Sequence, residues 1–274
     1  MTGSIDIQAL NNKARAMRLE VLDVTTKVAS GHVSSSYSAV EILTALYFGG
    51  VLRYRANQPD WPERDRFFMS KGHGAPIFYT VLANAGYFAK DELYGLRTVN
   101  RKAEGHPVEG TLPGIETTSG SLGKGISVAL GHVVAGRLSG LDYRNYVLLG
   151  DGECQEGQIW EAAMYAAHIK ADNLVAIVDY NKYQESGPIS RELGLEPFAE
   201  KWRSFGWHAV EVEDGHNIGA LVEALAAVRE VKGQPSVIIA HTVKGKGISF
   251  VEADYTFHGR ALTPEQAEKA LEEL

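Results

Sequence analysis

Cysteine is almost missing from this chain. Cys154 is the single one in 274 residues, so no internal disulfide can form. Positive charge is not in excess either. Against 27 Lys+Arg stand 34 Asp+Glu, a formal net charge of -7, and the basic residues form no dense run. That balance argues against a nucleic-acid binder held by phosphate contacts. No apolar stretch approaches the roughly 20 residues of a membrane-spanning helix. The opening Met1-Thr2-Gly3-Ser4-Ile5-Asp6 has neither a basic leader nor an apolar signal core. From these absences we expect a reducing, cytoplasmic location, with no nucleic acid and no membrane. Internal repeats and low-complexity linkers are absent too. So are a Gly-x-Gly-x-x-Gly turn after a strand and a phosphate loop ending in Gly-Lys-Ser/Thr, which counts against a generic nucleotide-binding protein.

What is present is the composition of a folded protein, 45% hydrophobic and 22% charged, long enough to bury a large core. Apolar residues recur at helical intervals from Ile7 to Val28, and Ser38 to Phe48 reads as a second helix. Arg66 to Met69 is a short strand-like piece that runs into Ser70-Lys71-Gly72-His73-Gly74, a turn opening onto a helical stretch from Ala75 to Ala85. Four stronger strand signals follow: Tyr146–Leu149, Leu174–Val178, His208–Val212 and Ser236–Ala240, with helical stretches near 156–169 and 217–231. Fully apolar strands alternating with helices predict an α/β fold: a mostly parallel central sheet flanked by helices on both faces, with a helical N-terminal portion. We expect one domain spanning 1–274, with 180–200 as a long loop holding a short helix.

Ligands of a parallel sheet bind beyond the carboxyl ends of its strands. Two such ends carry oxygen donors here. One strand runs into Gly150-Asp151-Gly152-Glu153 and the next into Asp179-Tyr180-Asn181-Lys182-Tyr183, thirty residues after Asp151. One strand-helix-strand step separates them, so adjacent strands would set Asp151 beside Asn181. A carboxylate, an amide carbonyl and a backbone carbonyl are hard donors, suited to a magnesium ion that completes its octahedron with phosphate and water. The glycines flanking Asp151 let a diphosphate approach the backbone.

The string GDGECQEGQIWEAAMYAAHIKADNLVAIVDYN resembles the thiamine-diphosphate fingerprint, in the version found in transketolases. Gly31-His32, Ser70-Lys71-Gly72-His73-Gly74, Gly105-His106-Pro107 and His258-Gly259 follow in the order of that family's active-site histidines, and the resemblance covers roughly residues 10 to 262. It implies the thiamine-diphosphate-binding fold, with thiamine diphosphate and Mg2+ as cofactors and Ca2+ or Mn2+ as substitutes. By the same resemblance Asp151, Asn181 and the Tyr183 carbonyl would hold the metal, with Gly152 against the diphosphate. Gly120, Ser121 and Leu122, within Thr118 to Gly125, would hold the aminopyrimidine and thiazolium region. Lys244, just before Gly245-Lys246-Gly247, would approach the diphosphate, and Glu156 would help link the two halves of the active site. His32, His73, His106 and His258 would be the catalytic histidines lining the ketose channel, His73 and His258 also touching the cofactor.

The implied reaction moves a two-carbon ketol unit from a ketose phosphate to an aldose phosphate, as in the pentose phosphate pathway. Two departures stand out. After His32 the family usually has Pro-Gly-Gly, where this chain has Val33-Ser34-Ser35-Ser36, and the sequence stops at Leu274. We therefore expect the N-terminal subunit of a split transketolase, active with a separate C-terminal subunit that carries the pyrimidine-binding and third domains, in a heterotetramer. The alternatives are the corresponding half of an enzyme for a sulfo-sugar, an unusual pentulose or a biosynthetic intermediate, and a non-catalytic scaffold of the same fold. His132, His168, His208, His216 and His241 are expected to be structural or surface residues, and Cys154 to be packing. Trp160 with the Ala162, Ala163, Ala166, Ala167 face, and the cluster Tyr180, Tyr183, Phe198, are likewise expected to pack.

Overall fold

The computed structural model describes residues 5–274; the part of the leader reading that falls on Met1 to Ser4 lies outside the described residues. Its first helix, α1 (Ile7–Lys27), starts where the Asp6 side chain accepts from the Ala9 N–H at 3.0 Å, a cap for one of the free N-terminal donors. Two shorter helices follow, α2 (Val33–Tyr37) and α3 (Val40–Phe48). The sequence predicts one helix from Ser38, but Ser38 joins the two. Its hydroxyl donates to Asp179 Oδ2 at 2.6 Å, so this tertiary bond replaces the expected cap.

Strand β1 (Arg66–Met69) leads into α4 (Ala75–Asn84), and a long connection brings the chain to α5 (Lys124–Leu138). Then come β2 (Asn145–Gly150), α6 (Gly157–His168) and β3 (Leu174–Tyr180). The segment expected to hold one short helix holds two, α7 (Ile189–Glu192) and α8 (Phe198–Ser204). The chain closes with β4 (His208–Val212), α9 (Ile218–Glu230), β5 (Ser236–His241) and α10 (Pro264–Glu273). Helices α5 and α10 have no counterpart in the sequence reading. Three glycines interrupt the apolar pattern of α5, and one of them, Gly125, is needed for close approach. A Cβ there would lie 2.4 Å from Ser70 Oγ.

All five strands are parallel, in the order β1-β2-β3-β5-β4. Successive strand residues point to opposite faces, and the core divides accordingly. Phe67, Tyr146, Leu148, Val175, Ile177 and Ile238 pack toward α1, α3, α4 and α9. Phe68, Val147, Leu149, Ala176, Val178 and Ile239 pack toward α5, α6 and α8. Helices thus cover both faces, as expected, and the strand ends are left to receive a ligand. Among the described residues no helix is long and apolar enough to cross a membrane.

Candidate active site

At the carboxyl edge of the sheet lies a cavity of about 380 Å³. The register pairs Gly150 of β2 with Asp179 of β3, so the residues just beyond those strands, Asp151 and Asn181, emerge on the same edge. Both line the cavity, together with Gly152, Glu156 and Tyr183. His32 from the turn before α2, His73 from the turn after β1, and His106, Lys244 and His258 from loops complete the wall. Gly120 and Leu122 line it as well, whereas Ser121 is exposed and does not.

Asp151 is buried, 2% exposed, and accepts only backbone N–H groups: Gly152 at 2.7 Å on Oδ1 and Lys182 on Oδ2. Burial, reinforced by the negative charge of Asp179, raises its carboxyl to about 7. The amide oxygen of Asn181 accepts from the Tyr183 N–H at 3.1 Å, and the Tyr183 carbonyl accepts from Lys244 Nζ at 3.3 Å. Gln184 adds a buried Oε1 without a donor, 3.4 Å from where a Cβ on Gly152 would sit. Unsatisfied oxygen around a buried carboxylate suits a hard divalent cation that brings its own water and phosphate oxygens. Among the described residues no group of three His, Cys, Asp or Glu side chains could hold a metal, so softer transition-metal cages are not offered.

The four histidines meet in one cluster. Ring centroids of His32 lie 5.4 Å from His73, 5.5 Å from His258 and 6.3 Å from His106, and His73 and His258 are 5.0 Å apart. Burial together with nearby cations keeps every ring neutral. His32 is lowered to about 4 and His258 to about 3, while His73 is pushed well below and His106 below the usual imidazole value. Lys244 Nζ lies 2.7 Å from His258 Nδ1, and its own ammonium is lowered to about 8 by burial and by Lys71.

Three residues that sequence reasoning did not single out hold this cavity together. Lys71 is fully buried and ion-paired with Asp179, and its Nζ also donates to the Ser35 carbonyl at 3.0 Å. Asp179 further accepts from Ser38 and Thr242, so it joins β3 to the α2–α3 junction and to the loop after β5. Glu153, buried, accepts from Ser70 Oγ, from Gly123 N–H at 2.8 Å and from Gly150 N–H at 2.9 Å. The signal for Asp179 was available: a carboxylate closing an otherwise apolar strand.

Other expectations meet mixed outcomes. Cys154 is buried in the core and its thiol is pushed well up by burial and by Glu153 and Asp151, consistent with packing. Trp160 packs on Trp202 and Phe205. His216 is structural: it bonds Glu41 at 2.9 Å through Nδ1 and accepts from the Val243 N–H at 2.8 Å through Nε2. Tyr180 and Phe198 pack together at 5.4 Å, but Tyr183 is half-buried on the cavity wall and not in the core, because the turn after β3 carries it out of the sheet. None of Ser34, Ser35 and Ser36 lines the cavity, and Ser35 Oγ is buried without a partner. Ser34 Oγ donates to the Phe257 carbonyl at 3.0 Å and Ser36 Oγ to the His32 carbonyl at 2.8 Å, which anchors the histidine turns instead.

The family model for the transketolase, thiamine diphosphate binding domain, matches residues 9–274. The 6-deoxy-6-sulfo-D-fructose transketolase subunit SqwG of Clostridium sp. (strain MSTE9) is 42% identical over 270 residues, covering 98% of this chain and 96% of that protein. One of the subunits of the apulose-4-phosphate transketolase of Actinobacillus succinogenes is 41% identical over 275 residues, covering 99% and 98%. The crystal structure of transketolase from Campylobacter jejuni superposes with a TM-score of 0.92 at 30% identity, over 97% of this chain and 43% of that one. The chain thus spans nearly the whole of the two bacterial subunits and about two fifths of that longer relative.

Proposed function

The chain belongs to the transketolase family, as its thiamine diphosphate binding domain, and from that membership we propose that it is the N-terminal subunit of a split transketolase. One observation carries the reading: a single cavity sets hard oxygen donors opposite four neutral imidazoles at the carboxyl ends of parallel strands. Asp151, Asn181 and the Tyr183 carbonyl would hold Mg2+, Gly152 and Lys244 would receive the diphosphate, and Gly120 and Leu122 would receive the rings. Thiamine diphosphate, when bound, supplies the carbon nucleophile and electron sink needed to break and remake a carbon–carbon bond. The protein's own part is orientation and proton handling. Neutral His32, His73, His106 and His258 bind sugar hydroxyl and carbonyl oxygens and carry protons at those oxygens. Glu156, at the rim, faces the other half of the site.

The reaction is transfer of a two-carbon ketol unit from a ketose phosphate to an aldose phosphate. A separate C-terminal subunit supplies the pyrimidine-binding and third domains, in a heterotetramer, in the cytoplasm. The whole chain, 1–274, forms one diphosphate-binding domain in that assembly. The substrates for which the two bacterial relatives are named favour a second reading, in which the substrate is a sulfo-sugar or an unusual pentulose such as apulose 4-phosphate.

Calorimetric titration with thiamine diphosphate and Mg2+, alone and with a candidate C-terminal chain, tests the proposal. Weak binding alone that tightens with the partner is expected, as is turnover of xylulose 5-phosphate and ribose 5-phosphate only by the pair. Turnover by the chain alone would refute the split arrangement. If the assembled pair binds cofactor but turns over only 6-deoxy-6-sulfo-D-fructose or apulose 4-phosphate, the second reading stands in place of the first.

A further inference from the structure

Arg97 stands beside the histidine cluster on a backbone that ordinary residues avoid. Its φ is 54°, in the left-handed region, and its N–H is tied to the Ala103 carbonyl at 2.9 Å. A non-glycine residue holds such a conformation at a cost, where surrounding contacts fix it. Here those contacts join two stretches of chain, the turn holding Ser30 and His32 and the loop holding Ala103 and Gly105. One guanidinium nitrogen donates to Ser30 Oγ at 3.2 Å, and the other lies 3.4 Å from His32 Nδ1. The stem packs over Gly105, where an added Cβ would come within 2.7 Å of Nε. Gly105 precedes His106, so one side chain spans the loops that carry two of the four histidines. Arg97 itself is exposed and stands outside the cavity lining, whereas His32 is part of it.

A guanidinium has five N–H donors and no acceptor. The Nδ1 that faces it therefore offers a lone pair, and a neutral imidazole so engaged carries its proton on Nε2. That nitrogen turns toward the His258-Gly259 turn, 3.5 Å from where a Cβ on Gly259 would sit. We propose that Arg97 is a positioning residue that fixes His32 as the Nε2–H tautomer, so that His32 serves the sugar as a hydrogen-bond donor and not as a proton acceptor. Burial and the charges of Arg97, His106, Lys244 and Lys71 disfavour the charged ring, which leaves the two neutral tautomers as the alternatives between which Arg97 selects. His73 and His258 pack against it as neutral rings. The proposal rests on the ketol-transfer reading for the identity of the oxygen that His32 meets; the tautomer is a property of the free chain.

The test uses the full chain labelled with 15N, whose long-range proton–nitrogen correlations separate protonated from unprotonated ring nitrogens, with His32 assigned by the signals lost in His32→Gln. The expected result at pH 7 is an unprotonated Nδ1 and a protonated Nε2. In Arg97→Met the two forms mix or reverse, and Arg97→Lys restores the first. In the assembled enzyme Arg97→Met lowers kcat/KM by about tenfold or more, the loss of one charge-assisted hydrogen bond, and Arg97→Lys recovers part of it. A protonated Nδ1 in the unmodified chain, or an unchanged tautomer in Arg97→Met, overturns the proposal. The expected tautomers in a chain that, paired with its partner, transfers no ketol unit would uphold the role of Arg97 toward His32 and overturn the functional reading instead.

Discussion

Replacing Lys71 by Met removes one charge from the most deeply buried ion pair at the site. The Lys71 and Asp179 side chains are 1% and 0% exposed. Burial pushes the Asp179 carboxyl up, but the Lys71 charge and hydrogen bonds from Lys71, Ser38 and Thr242 outweigh it and hold the group below 3.8. Without Lys71 the carboxylate keeps its donors on Ser38, Thr242 and Asn181 but loses the ammonium that is ion-paired with it. Breaking such a pair costs about 3–5 kcal/mol, against a total stability of ~5–15 kcal/mol for a typical domain. Urea unfolding followed by tryptophan fluorescence reads this directly, since Trp202 is fully buried. The double variant Lys71→Met/Asp179→Leu removes both charges and should recover most of the loss, because a buried pair is about as stable as well-packed apolar residues of similar volume. A loss under ~1 kcal/mol in the single variant, or a double variant no better than it, would refute the reasoning.

Three further outcomes are expected. Glu41 is held below 4.5 because its bonds to His216 and Arg18 outweigh burial, so its contribution is full above about pH 4.5 and fades as pH falls through the lower folded value. The gap in urea midpoint between the unmodified chain and Glu41→Gln should therefore narrow between about pH 6 and pH 3; a constant gap would contradict this. Asp151→Asn should weaken Mg2+-dependent thiamine diphosphate binding by more than the ~10–100-fold typical of losing a mere supporting partner, and calorimetry showing normal affinity would remove Asp151 from the metal set. His106→Ala should leave cofactor binding intact while lowering turnover of the assembled enzyme by roughly a hundredfold; unchanged turnover would make His106 structural.

Much of this was legible in the chain itself. Uninterrupted apolar runs such as Leu174–Val178 announce strands buried on both faces, and the thirty-residue step from Asp151 to Asn181 sets both at neighbouring strand ends before the fold is known. Four Gly-His contexts pointed to one cluster and form one. What escaped depends on tertiary contact. Glu153 sits in the fingerprint, yet only the folded chain shows that it binds the N–H groups of both Gly123 and Gly150. Arg97 carries no local motif at all, because its importance comes from a left-handed backbone and from segments 65 residues away. The glycines of α5 hide a helix from any periodicity test, and two of them, Gly125 and Gly136, are valuable for the space they leave for Ser70 and Tyr143.

The quartet of uncharged rings also bears on how such an enzyme would fare in its surroundings. An exposed imidazole changes state around neutrality, so a cell that acidifies by about one pH unit recharges a large share of its histidines. His32, His73 and His258, withdrawn from water and crowded by Lys71 and Lys244, are held low enough to stay uncharged across that swing, and His106 is lowered in the same direction. A wall of such rings keeps its pattern of hydrogen-bond donors and acceptors under mild acidification, while the neighbouring Asp151 carboxyl, raised to about 7, is a group that changes state there.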